Sequence, residues 1–124
     1  LRIHEMVQGA SRNLEHQLEQ INRAKDLGVP IALGTDAGSI GVHHGRSLKE
    51  EIQLLLTAGF SVPGAIQSAT LNNAHLLNLD GYGAIAKGAP ATFIAVIGPP
   101  QDLPGNLDNL TSLYIKGKEF HKNR

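Results

Sequence analysis

Between residues 11 and 27 the apolar positions recur with helical period. Leu14, Leu18, Ile21 and Ala24 share one face, with Leu27 at its margin. Charged and amide side chains from Glu15 to Asp26 fill the other side. Gly28 is a natural stop, because glycine takes the left-handed conformation that ends many helices. A short apolar run follows at Pro30, Ile31, Ala32 and Leu33. Bounded by proline and glycine, it predicts a buried strand, parallel in type because both faces are apolar. A glycine-rich loop, Gly34 to Gly41, then leaves that strand.

Ser47 and Glu50 have the spacing of a capping box, in which the serine bonds forward and the glutamate back. They predict a helix with Leu48, Ile52, Leu55 and Leu56 on one face, ended by Gly59. Two shorter helices are expected over 62–68 and 71–78, capped by Ser61 and Thr70, with Pro63 in a first turn where a missing N–H costs little. Near Gly81 the pattern changes to short β-rich runs. Strands are expected over 84–85, 92–97, 112–115 and 119–121, with a tight hairpin turn at Lys116-Gly117 and a loop over 99–109. Helix, strand, loop, helix is the unit of an α/β fold. A single parallel strand cannot make a sheet, so its neighbours are expected to lie outside these residues.

Composition narrows the function. Eleven basic and eleven acidic residues balance, which gives no field for attracting nucleic acid or an anionic membrane surface. No apolar run approaches the roughly 20 residues of a membrane helix. Without cysteine there is no disulfide scaffold, thiolate metal site or thiol nucleophile. We expect a cytoplasmic protein. The first residues carry His4 and Glu5 and do not read as a signal peptide. Residue 1 is Leu rather than Met, which leaves open whether it is the natural start.

Asp36 is the first candidate for chemistry. It stands just past the carboxyl end of the expected strand, where parallel α/β folds bind their ligands. A carboxylate there suits metal binding or general-base work, although aspartate also serves simply to cap loops. His43 and His44 are adjacent, so their side chains point apart in extended chain and do not chelate one ion together. One of them can reach a site mouth while the other packs or faces solvent. His75 reads as a surface or packing residue, and His4, His16 and His121 have no partner at metal-ligand spacing. The sequence contains no His-x-His, His-Glu-x-x-His, phosphate loop, dinucleotide fingerprint or Gly-x-Ser-x-Gly elbow.

The run from Gly28 through Gly34-Thr35-Asp36-Ala37-Gly38 resembles the last barrel strand of the amidohydrolase superfamily, in its imidazolonepropionase-like and Xaa-Pro dipeptidase-like branch. His44-Gly45, and Glu50 or Glu51 before a helix ending at Ala58-Gly59, are similar to that branch too. So are Ala69-Thr70-x-Asn72-x-Ala74, Gly83-x-Ile85-x-x-Gly88-x-x-Ala91 and Ile115-Lys116-Gly117. The likeness runs over about residues 11–120. It departs at Ala91-Thr92, where the family usually has Ala-Asp.

The resemblance implies the C-terminal part of a metal-dependent (β/α)8 barrel, an α/β fold, over 1–80 and part of a small β-sandwich over 81–124. It implies one or two divalent metals, zinc above all, that activate water to break an amide, cyclic amide or dipeptide C–N bond. Asp36 matches the family's metal-binding and catalytic aspartate. His44, and less directly His43, are the substrate-binding candidates. Gly34, Gly38 and Gly41 are expected to shape the loop that aims Asp36. The family's other metal ligands lie on strands that this sequence does not contain. The segment alone is therefore expected to be inactive and to need no bound metal, since catalytic zinc takes three protein ligands. Its expected partners are a small-molecule substrate and the remaining strands of the parent barrel, and alone it is expected to oligomerise. The alternative from the residues is a non-catalytic α/β binding module descended from such a barrel.

Overall fold

The computed structural model describes residues 2–120. Four helices come first: α1 (Arg2–Asp26), α2 (Ser47–Thr57), α3 (Val62–Ala69) and α4 (Leu71–Leu76). Three strands follow: β1 (Phe93–Val96), β2 (Leu110–Ile115) and β3 (Lys118–Phe120). Between β1 and β2 the chain makes two short 3-10 turns, Pro100–Asp102 and Gly105–Asn109. These replace the expected irregular loop. Asn106 holds them by donating to the Pro99 carbonyl at 3.1 Å.

Helix α1 is longer than its apolar pattern suggests. It continues through Gly9 to Arg2, because one glycine costs only about 1 kcal/mol against alanine. Only its last turns pack: Leu18, Ile21 and Ala24 are half-buried, whereas Leu14 and Leu27 are exposed. Gly28 donates to the Lys25 carbonyl and Val29 to that of Ala24, the paired closing bonds of a Schellman end. Gly59 and Phe60 close α2 in the same way, and Asn78 and Leu79 close α4.

The start of α2 differs from expectation. The N-cap position belongs to Arg46 and no side chain caps it. Ser47 is buried instead, and its Oγ accepts from the backbone N–H of His43 at 3.0 Å. The hydroxyl serves the preceding loop, so the capping box with Glu50 does not form. Thr70 is likewise no cap for α4. Its hydroxyl donates back to the Ile66 carbonyl at 2.7 Å, inside the last turn of α3. Ser61 does cap α3, accepting from the Gly64 N–H at 3.2 Å. Ser61→Ala is expected to destabilise the fold by about 1 kcal/mol, read as a lower urea midpoint at unchanged slope.

The core is small. Leu33, Ile52, Leu55 and Ala65 form its centre, with Ile21, Ile31, Leu56, Phe60, Ile66, Ala69 and Leu107 packed around them. Leu48, expected on the buried face of α2, lies exposed. Leu107 and the ion pair of Lys49 with Asp108 attach the later part of the chain to the helices.

The sheet is antiparallel in the order β1-β2-β3. Ile115 pairs with Lys118 across Lys116-Gly117, whose φ values of 50° and 80° make the primed turn that suits strand twist. Phe93 stacks on Tyr114 at 4.8 Å between ring centroids. The hydrogen-bonded Glu119 beside it pushes the Tyr114 phenol above its ordinary range. Residues 84–85, expected as a strand, form none. Ile85 is almost fully exposed, and no neighbouring strand offers it a ladder. The strand expected over 119–121 ends at Phe120, and His121 lies outside the described residues.

Candidate active site

The apolar run after α1 joins no sheet among the described residues. Residues 29–36 belong to no helix or ladder. Yet they keep the period of two of extended backbone. Ile31, Leu33 and Thr35 turn toward the helices and are buried or half-buried. Ala32, Gly34 and Asp36 lie on the opposite, exposed face. The expectation of a strand buried on both faces is thus met on one face only, because nothing among the described residues covers the other.

Side chains hold the buried edge of this segment. Asn73 Oδ1 accepts from the Leu33 N–H at 2.9 Å, and Asn73 Nδ2 donates to the Leu33 carbonyl at 2.8 Å. Asn72 Nδ2 donates to the Ile31 carbonyl at 2.8 Å. The Ser68 carbonyl takes a longer bond, 3.3 Å, from the same Leu33 N–H.

Asp36 ends the segment in a left-handed conformation, with φ of 51°. A non-glycine residue there is uncommon, and aspartate and asparagine tolerate it best. The Ser39 hydroxyl donates to Asp36 Oδ2 at 3.3 Å. Backbone bonds from Gly38 to Val42, from Val42 to Ser39 and from Ser39 to Asp36 then fold residues 36–42 into a compact loop. Gly38 and Gly41 have positive φ, and Gly34 does not.

His44 and His43 are both exposed. The His44 ring lies over Gly38, with Nε2 3.9 Å from where a β-carbon would stand. His43 is fixed through its backbone, which exchanges hydrogen bonds with Ser47. His44 therefore borders the loop that carries Asp36. No hydrogen bond joins either ring to the carboxylate among the described residues. On α2, burial and the neighbouring Glu50 push the Glu51 carboxyl above its ordinary range. Among the described residues, no group of three or more His, Asp or Glu side chains gathers where it could hold a metal ion. This chain can offer a metal the Asp36 carboxylate, a hard oxygen donor on an open face, but not a complete ligand set.

The sequence model of the amidohydrolase family matches residues 2–119. The chain belongs to this family. Two solved structures resemble this amidohydrolase chain closely. One, a Xaa-Pro dipeptidase with methionine bound in its active site, is 33% identical, with a TM-score of 0.72 over 85% of this chain. The other, described as an amidohydrolase, is 27% identical, with a TM-score of 0.69 over 86% of this chain. The matched parts make up 25% and 26% of those structures, so this chain spans about a quarter of their length. No curated protein sequence matches it. The likeness supports the α/β reading as part of an amidohydrolase barrel. No helix among the described residues is long and apolar enough to cross a membrane.

Sequence reasoning missed the parts played by Asn73 and Ser47. One signal for Asn73 was available: Asn72-Asn73 puts two adjacent amides between Leu71 and Ala74, in a helix start that otherwise packs.

Proposed function

We propose that this chain is the sector of a metal-dependent amidohydrolase that carries the final barrel strand, residues 1–80, followed by part of a β-sandwich, residues 81–124. The observation that carries this reading is the placement of Asp36. In a chain of this family, its carboxylate stands on the open face of an extended segment, beside two residues no larger than alanine. A closed barrel would turn that face inward.

The reaction is hydrolysis of a C–N bond in a small molecule: an amide, a cyclic amide or a dipeptide. The Xaa-Pro dipeptidase likeness makes dipeptides the first class to try. A bound divalent metal, zinc in our reading and one or two ions in number, would supply Lewis acidity and an acidified water. Asp36 would give that metal one oxygen donor. Its carboxylate also accepts the proton of the attacking water and returns it to the departing amine. The Ser39 hydroxyl, already donating to Oδ2, holds the carboxylate in orientation during this exchange. His44, over Gly38, borders the substrate's path, and its neighbour His43 is the second substrate-binding candidate.

The partner that completes the site is the set of remaining barrel strands. Without them the chain presents Ile3, Met6, Val7 and the Ala32/Gly34 edge to water, which favours self-association. The test compares the chain alone with the chain assembled with those strands, both given zinc and a panel of dipeptides and N-acyl amino acids. Turnover is expected only in the assembled form. Hydrolysis by the chain alone, or none by a folded and metal-loaded assembly, would overturn the proposal.

A further inference from the structure

We propose that Ser47 is a positioning residue that sets where His44 stands at the mouth of the site, and through it the affinity for substrate. The inference rests on the reading of His44 given above. Its basis is a closed turn over residues 43–47. Ser47 Oγ accepts from the His43 N–H at 3.0 Å, and the Ser47 N–H donates to the His43 carbonyl at 3.1 Å. One residue thus satisfies both backbone groups of the other, and His44, Gly45 and Arg46 form the ring between them. Gly45, with φ of 78°, lets the chain reverse within so short a ring. The turn follows the carboxyl end of the segment that carries Asp36, the end at which barrels bind their substrates.

Ser47 joins this turn to the core. It is only 4% exposed, so water has little access to replace its oxygen. It opens α2, whose Ile52 and Leu55 are buried at the centre of the core. Leu48 and Lys49 donate back to the Gly45 and Arg46 carbonyls and carry the helical bonding into the turn. Lys49, in the same first turn of α2, pairs with Asp108 from the stretch between β1 and β2. On the other side the His44 ring rests over Gly38, with Nε2 3.9 Å from where a β-carbon would stand. The His44 backbone follows directly on the bonded His43. Releasing the His43 N–H therefore frees the His44 ring to leave its place. Asp36 stays where it is, because its own loop is closed by separate bonds from Gly38, Ser39 and Val42. The consequence is a loss of substrate affinity without a loss of chemistry.

The test uses the assembled, zinc-loaded enzyme, the dipeptide of the panel above that it turns over fastest, and the variants Ser47→Ala, Ser47→Cys and His44→Ala. Alanine removes the acceptor. Cysteine keeps a side chain of similar shape but offers only a weak acceptor, so it controls for any repacking around alanine. Amide exchange at His43 is expected to accelerate about tenfold in both serine variants, the loss of one net hydrogen bond. KM should rise about three- to tenfold with kcat nearly unchanged, because a displaced binding group is lost to ground state and transition state alike. In a His44→Ala background, Ser47→Ala should raise KM no further, since nothing is left for it to position. An unchanged His43 amide would overturn the closed turn. An accelerated amide with unchanged KM, a loss confined to kcat, or a KM increase that persists in the His44→Ala background would overturn the positioning role. His44→Ala measured alone separates this inference from the reading beneath it. If it leaves KM intact while the His43 amide still accelerates in Ser47→Ala, the closed turn stands, and the reading of His44 fails together with the effect on affinity.

Discussion

Asp36→Asn is expected to lower kcat of the assembled enzyme by about 10³-fold, the scale of a lost proton-transfer group that also binds the metal. Asparagine is the stringent choice here. It has the same shape, tolerates the left-handed backbone that φ of 51° imposes, and keeps an oxygen to accept from Ser39. What it removes is the negative charge and the ability to take up a proton. The fold should therefore persist while the chemistry fails, and an unchanged urea midpoint beside the collapsed rate would show it. Asp36→Ala would confound the two, because alanine has a β-carbon but no polar group to ease the left-handed conformation, and is strained at this φ. A kcat within tenfold of the parent in Asp36→Asn would remove Asp36 from the mechanism.

The largest structural effect is expected at Gly83. Its φ is +86°, and a β-carbon there would stand 2.6 Å from Leu71 Cα, 2.9 Å from Leu71 N and 2.9 Å from the Thr70 carbonyl oxygen. All three are backbone atoms at the start of α4, so no rotamer change relieves the contact. Gly83→Ala is expected to cost about 3–5 kcal/mol, combining left-handed strain with overpacking. Gly88 provides the control. Its φ is +87°, but nothing lies within 4 Å of the added carbon, so Gly88→Ala carries the strain alone, about 1–2 kcal/mol. The two urea midpoints, measured on the same assembled preparation, isolate the steric part. Equal destabilisation by the two variants would refute the close approach of Gly83 to α4. The effect also bears on the site, because α4 supplies Asn72 and Asn73. A displaced helix start would move the hydrogen bonds of Asn73 to Leu33.

Local chemistry made several elements legible in the sequence. Ser61 and Pro63 mark the start of α3 because a hydroxyl and a fixed φ act within one turn. Lys116-Gly117 marks its hairpin because two residues of positive φ suffice to reverse the chain. Gly28 and Gly59 mark helix ends for the same local reason. The family pattern spanning Gly34 to Asn72 also singled out Asp36 as the residue to examine, and the structure leaves Asp36 exposed at the start of the loop whose Gly38 lies against the His44 ring. Ser47 and Thr70 show the limit. Each has the right residue type for a cap, and each hydroxyl found a different partner, the His43 N–H and the Ile66 carbonyl. A short polar side chain has several backbone groups within reach, and tertiary packing selects among them.

By itself, then, the sequence determined the helices with strong local signals, the hairpin, and the amidohydrolase pattern that carries Asp36. Each depends on contacts within a few residues, or on a motif that can be read along the chain. Tertiary structure alone decided which edge of the 29–36 segment is occupied, and by what. Its partners, Asn73 and Asn72, lie about 40 positions away in sequence, and their hydrogen bonds leave no periodic trace. It also decided that residues 84–85 stay outside the sheet, since a strand exists only where a neighbour accepts its hydrogen bonds.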